Sequence, residues 1–270
     1  MRVNIVQSCR PLSWCYSALG ARLSALAAIS IVAAAPSVET TASLPRFEHA
    51  RAVRHLDGLQ SHDFPIRVTY RYFNDNAPQS VGRLVVELGM HGETRVTENF
   101  PWRRYEVTTV TTAASFRRDI ANLASGARES IRSAEAESRG RAAALKYWLV
   151  LLHQTPSWAQ RQIRETVMND EHGERVHISY RTSDLEFSFD RQSLLRTAVT
   201  RGIVKAIGTD GSFGEGMPLV MKTTYEDYEL FGKCLFAKKF TVSVVDGPAS
   251  LKSLREGGIV ESIQYGVSVR

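Results

Sequence analysis

The chain has 270 residues, 43% of them hydrophobic and 23% charged, with 34 Lys+Arg against 28 Asp+Glu and three cysteines. That apolar fraction supplies a sizeable core and excludes wholesale disorder, and the length admits one large domain or two small ones. The formal net charge of +6 is spread along the chain rather than gathered into a basic stripe, which argues against nucleic acid as a partner.

The first 38 residues hold Arg2, Arg10 and Arg22 and no acid, and Leu23 to Ala35 is a run of 13 small and apolar residues. A basic stretch followed by an apolar one of this length has the form of a secretory signal. It is short for a bilayer span, which takes about 20 apolar residues. Residues 1–38 are therefore read as a signal peptide or N-terminal anchor, with an organellar transit peptide as the alternative, and residues 39–46 as a linker. Cleavage would take Cys9 and Cys15 away, leave Cys234 without a disulfide partner, and leave 31 basic residues against 28 acids. About half of the excess charge then belongs to targeting.

Residues 47–270 read as a single domain. Phe47, Ala50, Val53 (or Arg54) and Leu56 fall at near-helical spacing up to Gly58, which predicts a short amphipathic helix. From Ile66 the period switches to two, with Ile66, Val68, Tyr70 and Tyr72 on one face and Arg67, Thr69 and Arg71 on the other. Strands are predicted at Val81 to Leu88, Thr94 to Phe100 and Arg103 to Thr111, after a turn over Asn74 to Pro78. Phe116, Ile120, Leu123, Ala127 and Ile131 recur at helical spacing and predict a second helix. Arg141 to Leu152, apolar at Leu145, Trp148, Leu149 and Leu152, predicts a third.

Strands then resume at Ile163 to Met168, Val176 to Tyr180, Leu185 to Phe189, Leu194 to Thr200, Ile203 to Ile207, Leu219 to Tyr228, Phe236 to Val245 and Ile259 to Val269. No βαβ alternation occurs, so the sheet is predominantly antiparallel, and eleven or twelve strands curl rather than lie flat. The expected fold is mainly β with α, an α+β class: a strongly curved antiparallel half-barrel of about 11 strands covered by about three helices. Several strands carry aromatics, among them Phe100, Trp102, Tyr180, Phe189, Tyr225 and Tyr228, which fill a core or line a cavity.

The stretch TTYEDYELFGKCLFAKKFTV, starting at Thr223, reads as a β-hairpin turning at Phe231 and Gly232. It resembles the hairpin of the LolA/LolB-like family, outer-membrane lipoprotein carriers, through Asp227, Tyr228, Gly232 and Phe236. DLEFSFDRQSLLRTAV, Asp184 to Val199, is similar to the same families' strand, turn and return strand, with Asp190 at the turn. With the leader and the element order, the resemblance covers about Phe47 to Val269 and is closest to LolA-like domains in front of metallo-β-lactamase-fold hydrolases. It departs at Ala237, where many such hairpins carry proline after the aromatic.

Residues that carry chemistry are sparse. His49, His55, His62, His91, His153, His172 and His177 are scattered. The groupings of His55 with Asp57, His62 with Asp63, and His172 with His177 lack the helical spacing of a zinc pair, so no metal is expected. Gly208, Gly211, Gly214 and Gly216 precede Pro218 and a strand instead of a helix, which makes them a rim loop and not a phosphate cradle. Cys234 lies beside Lys233, yet a catalytic thiol also needs an oriented base, and none can be nominated.

No cofactor and no enzymatic activity are therefore expected. The resemblance implies a periplasmic or secreted binding protein of the bacterial envelope that holds a lipid-like or acylated ligand in its concave face. Tyr70, Tyr72, Tyr105, Trp148, Leu152 and Phe187 are the expected lining, and Trp148, Leu149, Leu152 and Trp158 a movable lid. Membrane contact is expected only through the leader or transiently. The alternative is an interaction or sensor module of the same fold with a filled core and an envelope protein as partner.

Overall fold

The computed structural model describes residues 44–75, 79–103, 105–170, 173–181, 183–207 and 213–266. The leader, most of the linker, His172, Gly208 and Gly211 lie outside the described residues, as does part of the turn before Val81.

Thirteen strands form one sheet in the order β6-β5-β4-β3-β2-β1-β13-β12-β11-β10-β9-β8-β7. The first half runs outward from the centre: β1 Ile66–Asn74, β2 Gly82–Leu88, β3 Thr94–Phe100, β4 Tyr105–Thr111, β5 Phe116–Asn122 and β6 Arg128–Ile131. Helix α2, Ala134–Leu151, then leads to the opposite edge, where the chain meanders back through β7 Ile163–Asp170, β8 Gly173–Tyr180, β9 Ser183–Phe189, β10 Leu195–Ile207, β11 Phe213–Phe231 and β12 Cys234–Asp246. Strand β13, Arg255–Tyr265, finally pairs antiparallel with β1. The curved sheet remains open, a half-barrel, and α1 (Pro45–Val53) and α2 pack on its concave face.

This path dictates where α2 must lie. Its ends connect the two outer edges, so it crosses the concave face, and its 18 residues span about 27 Å. Ser133 caps its start by accepting the Ala136 N–H at 3.1 Å. Leu145, Leu149 and Leu152 are fully buried against β-strand residues such as Val68, Val86 and Tyr180. At the N-terminal end of the helix Gly140 lies against the Phe116 ring, leaving no space for a side chain.

The strand alternation expected from Ile66 onward is the observed one: Ile66, Val68, Tyr70 and Tyr72 are buried on the helix-covered face. Arg67 and Arg95 instead flank Glu87 at 3.6 and 3.8 Å across the outer face.

Three expectations change. Phe116 to Ile131 is a hairpin of β5 and β6, not a helix. Residues four apart share a face in a strand as well as in a helix, and here Arg118 sits on that face between Phe116 and Ile120. The reversal is made by Asn122, whose side chain accepts from Ala124 N and Ser125 N at 2.9 and 3.1 Å. Accordingly two α-helices and four short 3₁₀ turns stand where three helices were expected among the described residues. Leu194 to Thr200 and Ile203 to Ile207 belong to one strand running through Gly202, so the strand count is thirteen.

Glycines pave part of the concave face. A Cβ on Gly82 would meet Phe100 at 2.7 Å and Trp102 at 2.9 Å, and one on Gly258 would meet the Phe240 ring at 2.6 Å. These rings lie directly on bare backbone. Gly258→Val should therefore lower stability by about 1–3 kcal/mol through overpacking, read as a lower urea midpoint. An unchanged midpoint would show that Phe240 is not held on that floor.

Candidate functional site

Two compartments divide the concave face. Beneath the C-terminal half of α2 the space is filled. Phe47 packs edge-on against Phe187 and Phe189, each at 5.2 Å between ring centres. Trp148 donates its indole N–H to Thr94 Oγ1 at 2.8 Å. A small void there has a volume of about 10 Å³ and is lined by Arg54, Tyr70, Val150, Leu151, Tyr225, Tyr228, Ala237 and Phe240. That is room for about one water.

Arg54 organises this compartment. It follows α1 directly, at a position the helical spacing left open between Val53 and Arg54, and is 1% exposed. Nε donates to Leu235 O at 2.7 Å, one terminal nitrogen to Val150 O at 2.7 Å, and the other to Leu151 O at 3.1 Å. The guanidinium lies 4.9 Å from the Phe236 ring centre and 5.8 Å from that of Tyr228. It thus satisfies carbonyls at the end of α2, which the helix itself leaves without donors.

His153 completes the end of α2. It adopts φ 50°, the left-handed turn that stops the helix. Its Nδ1 lies 2.6 Å from Leu149 O, and its Nε2 lies 3.0 Å from the Arg54 guanidinium. A carbonyl only accepts and a guanidinium only donates, so Nδ1 carries the proton and Nε2 accepts. Burial, reinforced by the Arg54 charge, holds the imidazole well below its usual pKa and hence neutral.

The β11–β12 hairpin is fastened to the same segment. Leu235 N donates to Arg54 O at 3.1 Å. Lys233 pairs with Asp63 at 2.5 Å, and Gln60 N donates to the same carboxylate at 2.6 Å. Gly232, at φ 63°, makes the turn, with Tyr265 donating to Phe231 O at 2.8 Å. Cys234 is buried, and burial pushes its thiol pKa up, the opposite of what nucleophilic activation requires.

The second compartment is open. Register places Tyr225, Phe240, Gly258, Tyr72 and Gly82 in one row across adjacent strands, the Phe100 ring lies on Gly82, and Tyr105 pairs with Phe100. Tyr72 stacks on Phe100 at 4.4 Å, and Phe100 on Trp102 at 5.3 Å. Trp102, Tyr105 and Phe240 are half-buried. The Trp102 indole nitrogen is buried without an acceptor among the described residues.

Of the expected lining, Trp148, Leu152 and Phe187 lie in the filled compartment and Tyr70 on its void. Tyr72 starts the aromatic stack, and Tyr105 lies beyond the core, opposite Phe100. The expected lid residues Leu149 and Leu152 are core residues, while Trp158 anchors through its indole N–H to Gly92 O at 2.9 Å. Strand aromaticity signalled Phe100 and Trp102, and helical spacing admitted Arg54 as an alternative to Val53, but nothing in the spacing singled out Phe240 or Lys146.

Lys146 projects from α2 to donate to Thr223 Oγ1 at 3.0 Å. Burial lowers its pKa to about 8.

No family model and no curated protein matches the chain. Among solved structures it is similar to a putative outer membrane lipoprotein-sorting protein domain from Vibrio parahaemolyticus, at 9% identity over 83% of this chain and 93% of that one, TM-score 0.48. It is also similar to a LolA superfamily protein from Nitrosomonas europaea, at 7% identity over 84% and 94%, TM-score 0.46. A third is a DUF1329 family protein from Desulfovibrio piger, at 7% identity over 84% and 94%, TM-score 0.45. These are likenesses of fold alone. The narrower placing beside metallo-β-lactamase-fold hydrolases rests on the sequence. Among the described residues no helix is long and apolar enough to cross a membrane.

Arg54 and Lys146 each generate a prediction. Arg54→Met orphans the carbonyls of Leu235, Val150 and Leu151, and should cost about 3 kcal/mol or more in urea unfolding. Arg54→Lys should recover little, because an ammonium cannot reach three carbonyls in a fork. For Lys146 the folded value of about 8 lies below the usual 10.5. The unfolded chain holds more protons between these values, so the penalty for burying the charge is full below pH 8 and fades toward pH 10.5. Lys146→Met should therefore be more stable than the wild type at pH 7, with the difference shrinking over that window in parallel melts.

Proposed function

We propose that this chain is a non-enzymatic binding protein of the bacterial envelope, which takes an acyl-bearing ligand along the open compartment of its concave face. The observation that carries this reading is the aromatic row of Tyr72, Phe100, Trp102, Tyr105 and Phe240. It continues out of the core, and three of its rings are half-exposed. An acyl chain laid on such a floor gains about 25 cal/mol per Å² of apolar surface removed from water. The envelope location rests on the form of the leader.

A second reading has its own support. The small void of about 10 Å³ fits a filled interior, as in a module that meets an envelope protein through its outer surface. The two readings differ in what the purified protein carries. Mass spectrometry of protein produced with its leader should find co-purifying acyl lipid, and delipidated protein should bind a fluorescent fatty acid. Trp102→Ala combined with Tyr105→Ala should weaken that binding about tenfold, or about 1.4 kcal/mol. Absence of both lipid and binding would leave the interaction module standing.

A further inference from the structure

Lys146 is a half-buried cation of α2 whose ammonium is held at Thr223 Oγ1. It lies one helical turn before Val150, and Thr223 lies two residues before Tyr225. Val150 and Tyr225 both line the small void with Tyr70 and Phe240. The two buried arginines among the described residues are already engaged, Arg54 with the carbonyls of Leu235, Val150 and Leu151 and with His153, and Arg141 with Glu137 and Thr112 O. Lys146 has a hydroxyl, Thr223 Oγ1, and no carboxylate among the described residues.

Register carries the Thr223 row through Val242 to Glu256 and Asn74. The carboxylate available along that row is already engaged, since Tyr72 donates to Glu256 at 3.0 Å and Asn74 at 2.8 Å. A half-buried ammonium with a hydroxyl and no counter-charge beside it is only partly satisfied, and an incoming anion completes its shell. A neutral ligand leaves it incomplete.

We propose that Lys146, steadied by Thr223, receives the anionic head of the ligand, so that the concave face selects anionic amphiphiles over neutral lipids of the same chain. This rests on the binding reading above. The head is a carboxylate or a phosphate, and the apolar tail runs over the aromatic row. Lys146 acts here as a specificity residue and leaves the affinity for the tail to the row itself.

The test compares cis-parinaric acid, its methyl ester and a monoalkyl phosphate on delipidated protein at pH 7. The wild type should bind the acid or the phosphate at least about tenfold tighter than the ester, and whichever of the two is tighter names the head group. In Lys146→Met this ratio should fall to near one, and in Lys146→Arg it should persist. Thr223→Val, which keeps the cation but frees it, should reduce the ratio partway. A ratio unchanged in Lys146→Met, or a wild type that prefers the ester, overturns the assignment while leaving the aromatic shelf intact. Failure of all three probes to bind the wild type would remove the binding reading itself, and this inference with it.

Discussion

The end of α2 is the constraint on which the interior depends. Because the helix must cross from one sheet edge to the other, its C-terminus finishes among buried residues, where water cannot reach its last carbonyls. Arg54 answers with a planar fork of donors that reaches Val150 O, Leu151 O and Leu235 O together. A buried guanidinium without an acid is ordinarily costly. Here the negative end of the helix dipole and the faces of Phe236 and Tyr228 offset the cost. One side chain thereby ties the exit of α1, the end of α2 and the start of β12 into a unit, and it forces His153 to remain neutral.

What was legible in the sequence was what local periodicity can carry. The alternation from Ile66 to Tyr72, the apolar stripe of Leu145, Trp148, Leu149 and Leu152, the Asp190 turn and the Gly232 hairpin all declare themselves within a few residues. Asp190, for example, accepts from Gln192 N and Leu194 N, each at 2.9 Å. The Phe116 to Ile131 segment failed because apolar residues four apart satisfy both periods, and its short, half-exposed strands carry little β-branched bias. The split at Gly202 treated a glycine as a break, whereas a long hairpin strand passes through it.

The site was less legible because it is made by distant pairings. Strand β13 joins β1 across most of the chain, and that pairing is what sets Gly258 beside Tyr72 and extends the aromatic row to Phe240. Tyr105 has the face expected for a lining residue, being paired with Phe100, but the reach of α2 decides that it is left half-exposed. Arg54 occupied an apolar slot of a helical pattern, and Lys146 merely bounded an apolar run. An arginine on the buried face of a helix was the available signal, since such a charge persists only where the fold supplies acceptors.

Magnitudes decide which compartment a ligand would enter. Opening the filled one means exposing Leu145, Trp148, Leu149 and Leu152, at about 1.5–3 kcal/mol each, besides orphaning the carbonyls that Arg54 satisfies. A single chain of about ten methylenes gains at most about 8 kcal/mol even when fully buried. A chain of that length therefore does not offset displacement of α2, whereas the aromatic shelf accepts it with the helix in place. Lys146 fits this division, because its anchor Thr223 starts the row that runs beside the shelf. A ligand with more apolar surface, two or three chains, shifts the balance toward displacing the helix. The size of the tail thus decides whether the half-barrel works as a fixed shelf or as a cavity that opens.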